Sequence, residues 1–295
     1  MNATSVLTRR SIGHDLDLSE ETWGEMEDSS PLLGNIQALR SKMEEEGYLL
    51  LRNFFPRELI RQARLAFLEL LNASGTFASP LEEGRLLSGA HVTDLSPDAV
   101  RKCEAIKRVV FGPEIKAFYE TFLEGNIRHF DYVWARTMGT GYGTKPHCDL
   151  VYMGRGTHRL YTAWIPYGDV TYDIGGLMIL EKSQQHASRI RNYLELDVDT
   201  YCENIPDRKV YGALSNNPVS LRQKLGGRWL STEYRMGDLL TFPMDTIHGS
   251  IDNQTAQIRL STDTRYQLAS EPVDERWVGE NPIAHGPQAR RGLIC

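Results

Sequence analysis

His147 and Asp149 stand two residues apart in Pro146-His147-Cys148-Asp149, and a third histidine follows much later in Thr246-Ile247-His248-Gly249-Ser250. Side chains two apart on a strand share a face, so an imidazole and a carboxylate would be aimed together while Cys148 points away into packing. Two histidines and one carboxylate on one face of a metal leave positions open, the donor set of non-haem iron(II) oxidation. His-x-Asp alone says little in a chain with eight histidines. It gains weight from Arg259, 11 residues after His248, across a turn expected at Asp252-Asn253-Gln254. A guanidinium on a strand paired back on the histidine's own can grip a carboxylate bidentately, and Ser250, two residues past His248, could add a hydroxyl. Two alternatives stay open: a structural salt bridge for Arg259, and a cupin-like barrel that binds zinc or nothing. His14, His91, His129, His158 and His285 have no partner at metal spacing and are assigned no role.

These residues need rigid elements. After Asn126 the chain breaks into short runs rich in Tyr, Val, Trp, Ile and Thr, which predicts strands at 130–137, 147–153, 160–166, 176–181, 238–243, 246–251 and 258–267. No helix of crossover length separates them, so an antiparallel sandwich or barrel is expected. Ahead of them, apolar spacing predicts helices from Ile36, from Pro56 to Asn72 and from Pro113 through Phe122, with a buried strand at Tyr48-Leu49-Leu50-Leu51. Residues 1–30 are expected to be a loosely held polar lead-in, and 187–233 a structureless lid over the barrel mouth. Arg189, Arg191, Arg208, Arg222 and Arg228, in that insertion, would meet an anionic substrate or form a solvated face balanced by nearby acids.

Composition removes other classes. The chain has 295 residues, 41% hydrophobic and 24% charged, which fits an ordinary globular protein. A formal charge of -6 disfavours nucleic acid as a partner. No apolar run approaches the roughly 20 residues of a membrane span, and the first 28 residues read as neither signal nor transit peptide, so a cytoplasmic protein with a small-molecule substrate is expected. Cys103, Cys148, Cys202 and Cys295 form no Cys-x-x-Cys pair and are expected to be free thiols. Nothing in the sequence fixes the oligomeric state.

The chain resembles the phytanoyl-CoA dioxygenase-like branch of the Fe(II)/2-oxoglutarate oxygenases over about residues 36–268. The resemblance is carried by His147-Cys148-Asp149, Ala163-Trp164, Gly175-Gly176-Leu177-Met178-Ile179-Leu180-Glu181, Gly237-Asp238-Leu239-Leu240-Thr241-Phe242, His248-Gly249-Ser250 and Arg259. It implies a double-stranded β-helix (jelly-roll, cupin-like) barrel with N-terminal helices packed outside. A single domain over 31–295 would comprise helical support at 31–128, a barrel at 129–268 holding the lid, and a C-terminal extension at 269–295. The resemblance further implies Fe(II) on His147, Asp149 and His248, and 2-oxoglutarate anchored by Arg259 and Ser250 beside Trp164. Dioxygen would be the oxidant and ascorbate a reductant, and Asp149 favours hydroxylation over halogenation. Lys182-Ser183-Gln184-Gln185-His186 departs from the family's Gly-Ser-His. A family lysine near the cosubstrate could fall on Lys102, Lys107 or neither.

Overall fold

A computed structural model describes residues 8–204 and 210–293. The strands of its two main sheets are β1 (Trp23–Glu25), β2 (Leu49–Leu51), β3 (Ile127–His129), β4 (Trp134–Met138), β5 (Tyr161–Pro166), β6 (Leu177–Leu180), β7 (Trp229–Ser231), β8 (Leu239–Pro243), β9 (His248–Ser250) and β10 (Arg259–Leu268). The larger sheet is antiparallel, ordered β2-β8-β5-β10-β3, with β4 also paired to β10. The smaller runs β9-β6-β7-β1. They face each other across an apolar layer and do not join into one closed ring among the described residues, so the jelly-roll is present as two facing sheets rather than a continuous barrel.

Alternation sets these layers. On β2, Leu49 and Leu51 point outward to the helices while Leu50 points into the space between the sheets. On β5, Ala163 and Ile165 face the helices and Trp164 faces inward. On β6, Ile179 faces the larger sheet, while Met178 and Leu180 meet Trp229, Leu221 and Ile247 behind it. The outer face of the larger sheet is covered by α1 (Ile36–Glu46), α2 (Arg57–Leu71), α3 (Pro97–Lys102), α4 (Glu104–Val110) and α5 (Pro113–Leu123). The Asn35 side chain caps α1 by accepting from Ala38 N at 3.1 Å, and Gly47, at φ +77°, ends it. α3 and α4 escaped the sequence pattern, being six and seven residues long.

Four expectations are corrected. The lead-in is tied down: β1 runs parallel to β7, burying Trp23 and Met26. Residues 147–153 are not a strand: His147 forms a single bridge to His248, and Leu150–Met153 makes a helical turn, α6. The lid is structured, holding α7 (Arg191–Leu194), a strand Thr200–Cys202 parallel to Arg291–Leu293, and α8 (Pro218–Leu225), capped by the Asn217 side chain. Of its arginines, Arg189 donates to the Leu225 and Lys224 carbonyls, Arg222 to the Gly227 carbonyl, and Arg228 pairs with Glu181; Arg208 lies outside the described residues. Cys103 and Cys148 are free as expected, whereas Cys202 is disulfide-bonded. Cys295 lies outside the described residues.

Candidate active site

The bridge between His147 and His248 consists of two reciprocal backbone hydrogen bonds, 2.9 and 3.0 Å. His147 Nδ1 lies 2.8 Å from Lys145 O and His248 Nδ1 lies 3.0 Å from Thr246 O. A carbonyl can only accept, so each Nδ1 donates and each Nε2 is left as a lone pair. Those Nε2 atoms stand 3.6 and 3.8 Å from Asp149 Oδ1. The one-donor-per-residue set of His147, Asp149 and His248 falls within 4.8 Å, tight enough to hold a metal ion. Asp149 Oδ2 is already occupied: it accepts from Thr162 Oγ1 at 2.5 Å and Arg265 Nη2 at 2.7 Å. Only Oδ1 is free, and it faces both imidazoles. The donor set therefore fits a divalent ion.

The electrostatics keep His147 and Asp149 in metal-binding form. Burial drives the His147 imidazole down to about 3, helped by His248 beside it, so it stays neutral. Burial alone would raise the Asp149 carboxyl, but the Arg265 guanidinium and the Thr162 hydroxyl, both donating to it, hold it well below the usual carboxylate range. Arg265 also donates to Asp263 at 2.5 Å and lies 4.2 Å over the Trp134 ring.

Arg259 is 2% exposed, and among the described residues no carboxylate lies within ion-pair distance of it. Its Nη1 donates to Gly175 O at 2.7 Å, while its Nε has no partner. Gly175 lies at φ +81°, where a Cβ would come 2.3 Å from Ile251 O, which ties the Gly175-Gly176 pair of the sequence to this contact. Burial pulls the guanidinium down to about 10, still charged at neutral pH. Trp164 packs edge-on against Tyr234, and its Nε1 is a second buried donor without a partner. Two orphaned donors fit an anionic ligand with acceptor oxygens.

A cavity of about 430 Å³ joins these groups, lined by the three metal-site residues, Arg259 and Trp164. Ser250 is not among its lining residues: its Oγ accepts from Thr144 N at 2.7 Å and fixes the loop leading to His147. Lys102 and Lys107 pair with Asp98 and Glu104 away from the cavity, and its lysine is Lys145. Cys148 packs behind the smaller sheet, as expected. Sequence reasoning missed Thr162, Asp263 and Arg265, which line the cavity, and Arg136 and His285, which line it too. Two of these had a signal: Asp263 and Arg265 share one face of β10 with Arg259, and charges on a strand buried from Arg259 to Gln267 are anomalous. His285 had none, coming from a segment without periodicity.

Two facing sheets, the larger antiparallel and the smaller mixed, with a two-histidine, one-carboxylate centre between them define a jelly-roll protein built for a metal. The model of the family described as Phytanoyl-CoA dioxygenase (PhyH) matches residues 43–261, and the chain belongs to that family. It is 27% identical over 266 residues to 1-deoxypentalenic acid 11-beta-hydroxylase of Streptomyces exfoliatus, covering 85% of this chain and 87% of that one. Among solved structures it is similar to the epimerase SnoN in complex with Fe3+, alpha ketoglutarate and nogalamycin RO, with TM-score 0.58, 19% identity and coverage of 84% and 93%. EctD from S. alaskensis with 2-oxoglutarate and 5-hydroxyectoine gives TM-score 0.59, 13% identity and coverage of 99% and 97%. Both likenesses establish a shared fold. No helix among the described residues is long and apolar enough to cross a membrane.

Proposed function

We propose that this chain is an Fe(II)- and 2-oxoglutarate-dependent dioxygenase that hydroxylates an unactivated C–H bond of a small organic metabolite or natural-product intermediate, releasing succinate and CO2. The observation that carries this is the pairing, in one cavity, of a metal-ready His147–Asp149–His248 set with the buried guanidinium of Arg259, which no carboxylate among the described residues neutralises. A metal centre that worked without a dicarboxylate would have no use for that cation. The fold's relatives are named for iron and 2-oxoglutarate, and the curated one for hydroxylation.

His147 and His248 would hold Fe(II) through their Nε2 atoms and Asp149 through Oδ1. Arg259 and the Trp164 N–H would take the distal carboxylate of 2-oxoglutarate. Bound together, iron, 2-oxoglutarate and dioxygen supply an oxidant strong enough to take hydrogen from carbon. The protein's own work is positional. Arg265 and Thr162 lock the Asp149 carboxylate by its far oxygen, and the backbone bridge fixes the spacing of the two imidazoles. Trp134, Met153 and Phe242 line the cavity with apolar surface that excludes water around the target carbon.

The test is anaerobic titration of the Fe(II)-loaded protein with 2-oxoglutarate. A weak visible charge-transfer band and a rise in Tm are expected. In air, a metabolite pool should then yield a species one oxygen heavier only when 2-oxoglutarate is present. Absence of both the band and the Tm rise would overturn the proposal.

A further inference from the structure

The cavity carries the opposite charge to the chain. The protein has a formal charge of -6, yet the cavity is lined by four permanent cations, Arg136, Lys145, Arg259 and Arg265, and two acids, Asp149 and Asp263. Arg265 serves both acids, at 2.7 and 2.5 Å. Arg136 adds only a longer contact to Asp263, at 3.3 Å, with its side chain 40% exposed. The Lys145 ammonium has no ion-pair partner among the described residues. A divalent ion and a dicarboxylate would cancel each other, so the excess of two cations would survive loading. An excess of this size in a confined, partly dry space attracts an anion.

We propose that this excess forms a substrate subsite in which Arg136, with Lys145 and His285, grips a carboxylate on an otherwise apolar small molecule; the inference rests on the function proposed above. The three groups come from β4, the loop before His147 and the C-terminal segment, and they line one cavity with the metal site. His285 is held for such a role. Its Nδ1 lies 2.9 Å from Asp199 Oδ2, a carboxylate that Arg276 also holds at 2.5 Å. With Nδ1 committed, Nε2 is the ring nitrogen left to meet a ligand. The Tyr152 ring touches both His147 and His285 edge-on, with centroids 5.5 and 5.9 Å away, so this histidine stands one aromatic ring from the metal site. Trp134, Met138, Met153 and Phe242 supply the apolar remainder of the wall. A carboxylate at the cationic rim would orient an apolar body against that wall, which fixes the carbon presented for oxidation.

The experiment uses the full chain loaded with Fe(II) under nitrogen, with and without 2-oxoglutarate. Three acids, 1-deoxypentalenic, dodecanoic and cyclohexanecarboxylic, are each compared with their methyl esters by calorimetric titration and Tm. At least one acid should bind about tenfold or more tighter than its ester. Arg136→Gln should remove that preference and keep the full Tm rise with 2-oxoglutarate, while Arg136→Lys retains part of it. His285→Gln, which keeps a donor, should weaken acid binding less than His285→Ala. Equal binding of acid and ester in all three pairs would overturn the subsite. Loss of the 2-oxoglutarate response in Arg136→Gln would also overturn it, by putting that arginine on the cosubstrate. A wild-type protein that ignores 2-oxoglutarate would instead overturn the underlying function.

Discussion

Arg265 is the residue on which the Asp149 carboxylate depends, and neither is more than 3% exposed at its side chain. Arg265→Met would leave that carboxylate buried beside one hydroxyl, at a cost of about 3 kcal/mol in unfolding free energy. With the cation gone, desolvation would lift the Asp149 carboxyl, so Fe(II) titration near neutral pH should show weaker binding that recovers as pH rises. Arg259 behaves oppositely, because no carboxylate among the described residues pairs with its charge and its Nε is left without an acceptor. Arg259→Met should leave the ligand-free protein as stable or slightly more so, while the Kd for 2-oxoglutarate, followed by the visible band, rises on the order of a hundredfold. At this scale the sequence singled out His147, Asp149, His248 and Arg259, which the structure gathers at one cavity, because His-x-Asp, a distant histidine and a later arginine keep a recognisable order. It did not reveal what holds them. Thr162 and Arg265 meet Asp149 only after two strands and a helical turn converge, and the spacing that puts Ser250 two residues past His248 gives no sign that its hydroxyl accepts from Thr144 N.

Among the elements, β1 is the one whose importance composition hides. Deleting residues 1–27 would strip Trp23 and Met26 from the smaller sheet and expose an edge of β7. A loss of at least about 3 kcal/mol in urea unfolding is expected from two buried side chains; an unchanged midpoint would mean the segment is ornamental. The strands β2, β5 and β8 are legible as short runs of apolar and β-forming residues, and the helices α2 and α5 as apolar stripes that persist for enough turns to be read. The segment from His147 was misread for a physical reason. Spacing of two suits a strand, but it suits equally a single bridge residue followed by the first turn of α6. Short elements such as α3, α4, α7 and α8 show too few turns for a stripe to emerge, and α7 and α8 are the ones that hide the order of the lid.

Across the whole molecule, Asp197 and Asp199 of the insertion meet Asp274, Arg276 and His285 of the C-terminal segment in one cluster around the buried Arg276. Arg276→Met should loosen both segments at once, seen as faster limited proteolysis within 187–233, while the Fe(II) and 2-oxoglutarate responses persist because no ligand residue is touched. A further consequence follows from the bridge that staples His147 to His248. Backbone atoms, not an ion, set the distance between the imidazoles, so the metal joins a finished fold instead of completing one. The metal-free chain should therefore show the same far-ultraviolet circular dichroism as the loaded chain. Cobalt(II) or nickel(II) should then enter as spectroscopic stand-ins without refolding, which makes the centre a socket that can be studied in air while the chemistry is silenced.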